Sequence, residues 1–193
     1  LKGKAILEGK RKERNPKMKE FFINAYQSYL FNNWPSKRIE ISRLLEEFNL
    51  SDATRATNLP KEMVESLKKQ PQFFKLMHGD VLHHYPAGKA FVCENVEEEL
   101  PRFLERGITI AGWLVGGKNI RAEYEAGVIE QEMFKESEPF LDKINGSRRF
   151  AWSFAEDVEG VYKEEEAWFE MHFSLPKGSY ATVIIEELIK VSL

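Results

Sequence analysis

Residues 167–188, AWFEMHFSLPKGSYATVIIEEL, place a strand pattern directly before a helix pattern. Alternating apolar residues are typical of a half-buried strand, and apolar residues three or four apart indicate one face of a helix. Pro176 and Gly178 mark the turn between them, and Ser179 is expected to cap the helix, one residue before Tyr180. The stretch therefore predicts a mixed α+β fold. The strand positions are Phe169, Met171, Phe173 and Leu175, and the helix positions are Val183, Ile184, Leu188 and Val191.

The amino-terminal part of the chain has helical patterns. Asn15 and Pro16 form a helix start, because Asn caps well and Pro needs no amide partner in the first turn. The pair Trp34–Pro35 is expected to end this helix, and Ser36 to cap a second one. Residues 49–60 are interpreted as a polar connection. The predicted apolar face of the first helix consists of Met18, Phe22, Ala25, Tyr26, Tyr29 and Leu30.

The middle of the chain changes to strand and turn patterns. Residues 73–95 are interpreted as short strands broken by Gly and Pro, and residues 108–117 as a strand or a buried loop. A helix is predicted at residues 121–134 and a strand at 148–154. We expect a domain boundary near residue 150, where a basic segment is followed by two strand-like runs.

Composition limits the class of protein. The chain has 193 residues, of which 31% are charged, and a net charge of −3. These values are typical of a soluble globular protein, and no apolar run approaches the roughly 20 residues of a membrane span. The single cysteine, Cys93, excludes an intrachain disulfide and favours a cytoplasmic location.

No common catalytic or metal motif stands out. The histidines are not spaced as zinc ligands, and there is no second cysteine to complete a zinc site. The chain contains no G-x-S-x-G motif, and Gly116-Gly117-Lys118 is too short for a phosphate-binding loop. No pair of carboxylates indicates acid–base catalysis. We therefore expect no metal. The histidines are His78, His83, His84 and His172.

Aromatic and basic residues concentrate near the amino terminus. Residues 21–34 contain six Phe, Tyr or Trp residues, with Gln27, Ser28 and Asn32 among them. Residues 1–20 carry eight Lys or Arg against three Glu, an excess of +5. A core helix explains most of the aromatic residues. The basic residues are explained by a solvated helix face or, alternatively, by attraction of phosphates.

Several motifs resemble the TruD family of tRNA pseudouridine synthases. The stretch FFINAYQSYLFN is similar to an A-Y-Q-S-Y-L-F-N helix of that family, and FSLPKGSYATVIIEEL is similar to its closing L-P-x-G-S-[YF]-A-T segment. Three further stretches resemble family segments, in family order. The matches are at residues 21–32, 78–91, 108–134, 146–158 and 173–188.

The resemblance implies a domain arrangement. In the family, a catalytic domain with a pseudouridine-synthase sheet is interrupted by an inserted TRUD domain, and RNA lies between them. Carried onto this chain, residues 1–12 are the end of a catalytic-domain helix or linker, residues 13–150 are the TRUD insertion, and residues 151–193 return to the catalytic domain.

The chain departs from the family pattern in one important respect. The family nucleophile is an aspartate in a motif of the type G-x-K-D-x-x-A-x-T-x-Q, and none of the four aspartates here lies in such a motif. Because the chain also opens with Leu1 rather than Met, we expect a fragment that lacks the amino-terminal half of its catalytic domain and is inactive alone.

The resemblance implies isomerisation of uridine 13 in tRNA without a cofactor or a metal. The expected partners are tRNA and the missing half of the catalytic domain, and no membrane is expected. The resemblance assigns Tyr180 to contact with the target uracil, and Gly178 and Ser179 to the turn that aims the ring. Arg148, Arg149 and Lys177 are candidates for phosphate contacts, and ordinary surface charge explains them equally well. Three competing interpretations stay open: a Tyr180 ring that fills the core, an RNA-binding or assembly module without chemistry, and an unrelated α+β enzyme.

Overall fold

The structure is a computed structural model, and it describes residues 1–190. It confirms the predicted α+β class. The chain divides into two compact units, Leu1–Ala151 and Trp152–Leu193. Val191, predicted as the last position of the final helical face, lies outside the described residues.

The first unit contains an antiparallel sheet and most of the helices. The strand order is β2-β1-β3-β4, and the central strand β3 is almost wholly buried. The strands are β1 (Val81–His84), β2 (Ala90–Val92), β3 (Ile108–Leu114) and β4 (Ser147–Phe150). The helices are α1 (Lys2–Leu7), α2 (Pro16–Glu47), α3 (Leu50–Thr57), α4 (Lys61–Lys69), α5 (Val96–Leu104) and α6 (Tyr124–Phe134), with a 3₁₀ segment at Lys135–Lys143.

Helix α2 lies directly against strand β3. A Cβ atom added to Gly112 would lie 2.6 Å from Cε3 of Trp34 and 2.8 Å from Cε2 of Phe31, so this close approach requires glycine. The next residue, Trp113, points to the opposite face of the sheet, where its ring meets Phe134 of α6 edge-on at 5.4 Å. The two faces of β3 therefore pack against different helices.

Helix α2 is longer than predicted. Its start is confirmed, because the Asn15 side chain accepts hydrogen bonds from the backbone N–H groups of Lys17 and Met18. The predicted break at Trp34–Pro35 is wrong, and the helix runs through Pro35 to Glu47. Burial of residues on both sides of the proline explains this, since packing of a long helix outweighs one lost backbone hydrogen bond.

The buried face of α2 also differs from the predicted one. Tyr26 and Leu30 are buried as expected, whereas Met18, Ala25 and Tyr29 are exposed. The face that packs on the sheet is rotated towards Gln27, Phe31, Trp34 and Arg38. The polar connection predicted at residues 49–60 is wrong too, because α3 forms there with Asn49 as its cap.

The second unit contains a hairpin and a helix. Strands β5 (Glu156–Lys163) and β6 (Trp168–Ser174) pair antiparallel, and α7 (Ala181–Ile189) follows. The predicted strand at residues 148–154 ends earlier, at Phe150. None of the described residues 152–190 is buried, so apolar side chains of the hairpin and helix face solvent. Exposed apolar residues of this unit include Val158, Val161, Tyr162, Trp168, Phe169, Val183 and Leu188.

We expect the 193-residue chain to self-associate in solution. Exposed apolar surface of this extent favours association, because water is released when two such surfaces meet. Light scattering should show dimers or larger species for the full 193 residues. A chain ending at Ala151, which keeps the buried core of the first unit, should remain monomeric. A monodisperse monomer of 193 residues would contradict this expectation.

Candidate functional site

A tight turn joins β6 to α7. Its sharpness depends on Gly178, whose φ angle of +94° lies in a region that residues with a side chain rarely adopt. The backbone N–H of Ser179 donates to the carbonyl of Pro176 at 3.1 Å, which closes the turn. The strand therefore passes into the helix within six residues.

The structure corrects the predicted role of Ser179. Tyr180, not Ser179, is the cap residue of α7, and its side chain makes no capping hydrogen bond. The Ser179 hydroxyl instead donates to the Ser153 hydroxyl at 2.9 Å. This bond joins the turn to the segment before β5, and so it holds the residue next to Tyr180 in place.

The ring of Tyr180 is open to solvent. The residue is 73% exposed, so within its own unit the ring does not fill a core. A planar aromatic side chain held at a glycine turn can stack against another flat group, such as a nucleobase. The exposed Lys177 lies in the same turn and adds a positive charge.

Arg148 is not available for the phosphate contact predicted for it. Its side chain is 3% exposed and forms a bidentate ion pair with Glu130, with nitrogen–oxygen distances of 2.5 and 2.9 Å. The remaining N–H groups donate to the backbone carbonyls of Ile120 and Ala111. Since all five guanidinium hydrogens are used, Arg148 ties β4 to α6 and has no donor left for a ligand.

Arg149 has a different environment from its neighbour. It points to the α2 side of the sheet, where its guanidinium lies 5.2 Å from the ring centre of Phe31. Nη1 makes a long hydrogen bond of 3.4 Å to the Ser28 hydroxyl, and the residue is exposed. Arg149 thus keeps donors free for an anion. It belongs to the first unit, whereas Lys177, Gly178, Ser179 and Tyr180 belong to the second.

The other reactive side chains form no second site. Cys93 is buried, and burial raises the pKa of its thiol to about 12, so the group stays protonated near neutral pH and is a poor nucleophile. Within residues 1–190 no three His, Cys, Asp or Glu side chains lie together in a way that could hold a metal ion. The helices described by the structure include none that is long and apolar enough to cross a membrane.

One buried ion pair was not predicted from the sequence. Arg38 and Asp80 form a buried bidentate ion pair at 2.5 and 2.8 Å, which joins α2 to the entry of β1. Asp80 also accepts the backbone N–H of Met77 through its side chain and donates its own backbone N–H to the carbonyl of Met77, which closes the turn before β1. A signal existed for Arg38: it stands at helical spacing from the apolar residues Trp34 and Ile41, on the buried face.

Comparison with known protein families gives a match over almost the whole chain. The family model described as "tRNA pseudouridine synthase D (TruD)" matches residues 8–188. The chain belongs to the TruD family. The motifs quoted from the sequence, at residues 21–32 and 173–188, lie within the matched range.

Curated TruD relatives are similar over almost the full length of the chain. The tRNA pseudouridine synthase D of a Nitratiruptor species is 47% identical over 186 residues, which cover 96% of this chain and 51% of the relative. That of Wolinella succinogenes is 49% identical over 190 residues, which cover 96% of this chain and 51% of the relative. The chain therefore spans about half the length of these TruD relatives.

A solved structure has the same fold. The crystal structure of the putative tRNA pseudouridine synthase D (TruD) from Methanosarcina mazei superposes with a TM-score of 0.58 and 21% identity. The match covers 91% of this chain and 39% of the solved one. The TruD fold thus accounts for the α+β arrangement described above.

Proposed function

We propose that the protein to which this chain belongs converts uridine to pseudouridine in tRNA, at uridine 13. The family match over residues 8–188 carries this proposal. The curated relatives, of which the chain spans about half, bear the name of that activity. In this proposal the nucleophilic aspartate lies on a part of the protein outside these 193 residues, and the reaction requires neither a metal nor a cofactor.

The proposed reaction rearranges one base. The bond between the ribose C1′ and N1 of uracil breaks, the base turns, and C1′ bonds to C5. C5 then loses its proton and N1 ends protonated, so the product is an isomer of the substrate. An enzyme reaches these atoms only after the base has left the RNA stack, which costs a few kcal/mol.

The turn at Gly178 supplies a means of holding such a base. In the proposal, the exposed Tyr180 ring stacks on the extruded uracil, and stacking of this kind is worth about 1–3 kcal/mol. Gly178 sets the turn, and Ser179 anchors it through Ser153. Lys177 and Arg149 are the basic residues that we assign to phosphate.

The domain assignment follows the same proposal. Residues 1–12 end a catalytic-domain helix or linker, residues 13–150 form the TRUD insertion, and residues 151–193 complete the catalytic domain. The apolar surface of residues 152–190 supports this assignment, because a segment without a buried core needs a partner to cover it. We also place the protein in the cytoplasm, which the single cysteine supports.

The experiment is a pseudouridine assay with the full-length protein. Unmodified tRNA should gain one pseudouridine, and tRNA with cytidine in place of uridine 13 should gain none. Modification of both RNAs would refute the assignment of position 13 but would still support pseudouridine formation as the activity. Binding of tRNA without any pseudouridine would instead support an RNA-binding or assembly module.

A further inference from the structure

An exposed row of side chains runs along the amino-terminal half of α2. Its members recur every three or four residues, so they lie on one face of the helix, away from the sheet. Phe21 is 61% exposed and Tyr29 is 49% exposed, which is unusual for rings on a helix that packs against a core. We name this surface the α2 stripe. It consists of Met18, Phe21, Ala25, Tyr29 and Asn32.

Positive charge lies at both ends of the α2 stripe. At the start, Phe21 contacts the ring of Phe22 edge-on at 5.8 Å, and Nζ of Lys2 lies 5.0 Å from the centre of the Phe22 ring. Lys17 is exposed one helical turn before Phe21. At the other end, Arg149 reaches the hydroxyl of Ser28, the residue before Tyr29.

Helix α2 itself contributes little negative charge beside the α2 stripe. Glu20 is the one acidic residue in the sequence from Met18 to Asn32. At about 100° per residue it lies roughly 200° around the helix from Met18, on another face. The α2 stripe thus combines exposed rings with cations, and its charge is complementary to a polyanion.

We propose that the α2 stripe binds unstacked nucleotides of the tRNA substrate. Bases stack on Phe21 and Tyr29, while Lys17 and Arg149 contact the neighbouring phosphates. The two rings stand eight residues apart, about 12 Å along the helix axis. This exceeds the roughly 3.4 Å between stacked bases, so each ring receives a separate base. This inference rests on the proposed function, since it names a second contact surface for the same substrate.

A protein partner fits the surface less well. The cations Lys17 and Arg149 stand beside the two rings, and the polar Asn32 borders the apolar area. Core regions of protein interfaces are depleted of charged residues, whereas RNA-binding surfaces combine aromatic side chains with basic ones. The arrangement around the α2 stripe follows the second pattern.

The test measures tRNA affinity of the full-length protein. Phe21→Ala and Tyr29→Ala should each raise Kd for unmodified tRNA at least about fivefold, because each removes one stacking ring. Phe21→Tyr and Tyr29→Phe should keep the parent affinity, since the ring remains. Phe48→Ala is the matched control: it removes a ring of 42% exposure at the far end of the same helix, and should leave Kd within twofold.

Salt dependence adds a readout for the phosphate contact. Arg149→Gln should reduce the slope of log Kd against log salt concentration by about one, as expected when one phosphate contact is lost. An unchanged slope would remove Arg149 from the surface. Unchanged tRNA affinity in both alanine variants would overturn the proposal. If their thermal midpoints also fall, the rings pack against another segment of the protein instead. If the unsubstituted protein binds no tRNA, the proposed function itself fails.

Discussion

Replacing Arg38 with methionine is expected to lower the free energy of unfolding by about 3–5 kcal/mol. The substitution leaves the Asp80 carboxylate buried without its cation, and it also removes a 2.8 Å hydrogen bond from Nη2 to the carbonyl of Lys75. Urea denaturation of the chain ending at Ala151, followed by tryptophan fluorescence, measures the change. The effect should appear in the midpoint rather than in the slope.

Two comparisons isolate the cause. Arg55→Met breaks an ion pair of the same 2.5 Å length with Asp52, but that pair is exposed, so the loss should stay within about 1 kcal/mol. Adding Asp80→Asn to Arg38→Met removes the stranded charge, so the double variant should be more stable than Arg38→Met alone. Equal effects of Arg38→Met and Arg55→Met would show that burial does not govern the pair.

Replacing Tyr180 with alanine is expected to reduce pseudouridine formation by about 5- to 160-fold in the full-length protein. This range follows from the loss of one stacking contact of about 1–3 kcal/mol with the target base. Single-turnover assays on unmodified tRNA should show the loss in the rate of the chemical step. Tyr180→Phe, which keeps the ring and removes the hydroxyl, should retain most of the activity.

A thermal midpoint separates this role from a structural one. Tyr180 is exposed within its unit, so neither substitution should change the midpoint by more than about 2 °C. Activity of the alanine variant within about twofold of the parent would remove Tyr180 from the substrate contact. A large fall in the midpoint, shared by both variants, would assign the residue to packing.

The sequence alone predicts the elements whose signals are local. The turn residues Pro176 and Gly178 separate strand from helix as expected, and Asn15 starts α2. The continuation of α2 through Pro35 could not be predicted, because the proline rule is local whereas the compensation comes from packing on the sheet. Helical spacing also predicted an apolar face for α2. Aromatic residues occur on several sides of this helix, so spacing alone did not show which rings are buried.

The residues of the candidate site could also be predicted only in part. The motif around Tyr180 predicted a ring that can reach a ligand, and the ring is exposed. Its contact with uracil stays a prediction. The buried ion pair of Arg148 could not be predicted, because its partner, Glu130, lies eighteen residues earlier, on a helix whose position depends on the whole sheet. No pattern in the sequence distinguishes Arg148 from Arg149. The alternation of a strand separates them, since adjacent side chains point to opposite faces.

This separation on β4 has an evolutionary consequence. A mutation of Arg148 removes the bidentate partner of the buried Glu130 carboxylate, whose contact with Arg121 is longer, at 3.5 Å. Among descendants of this protein we therefore expect positions 148 and 130 to change together. Arg149 forms no such ion pair among the residues that the structure describes, so lysine can supply its positive charge, although without the planar guanidinium that lies over the Phe31 ring. Two identical neighbouring residues thus face different selection, one through a partner on another helix and the other through whatever binds outside.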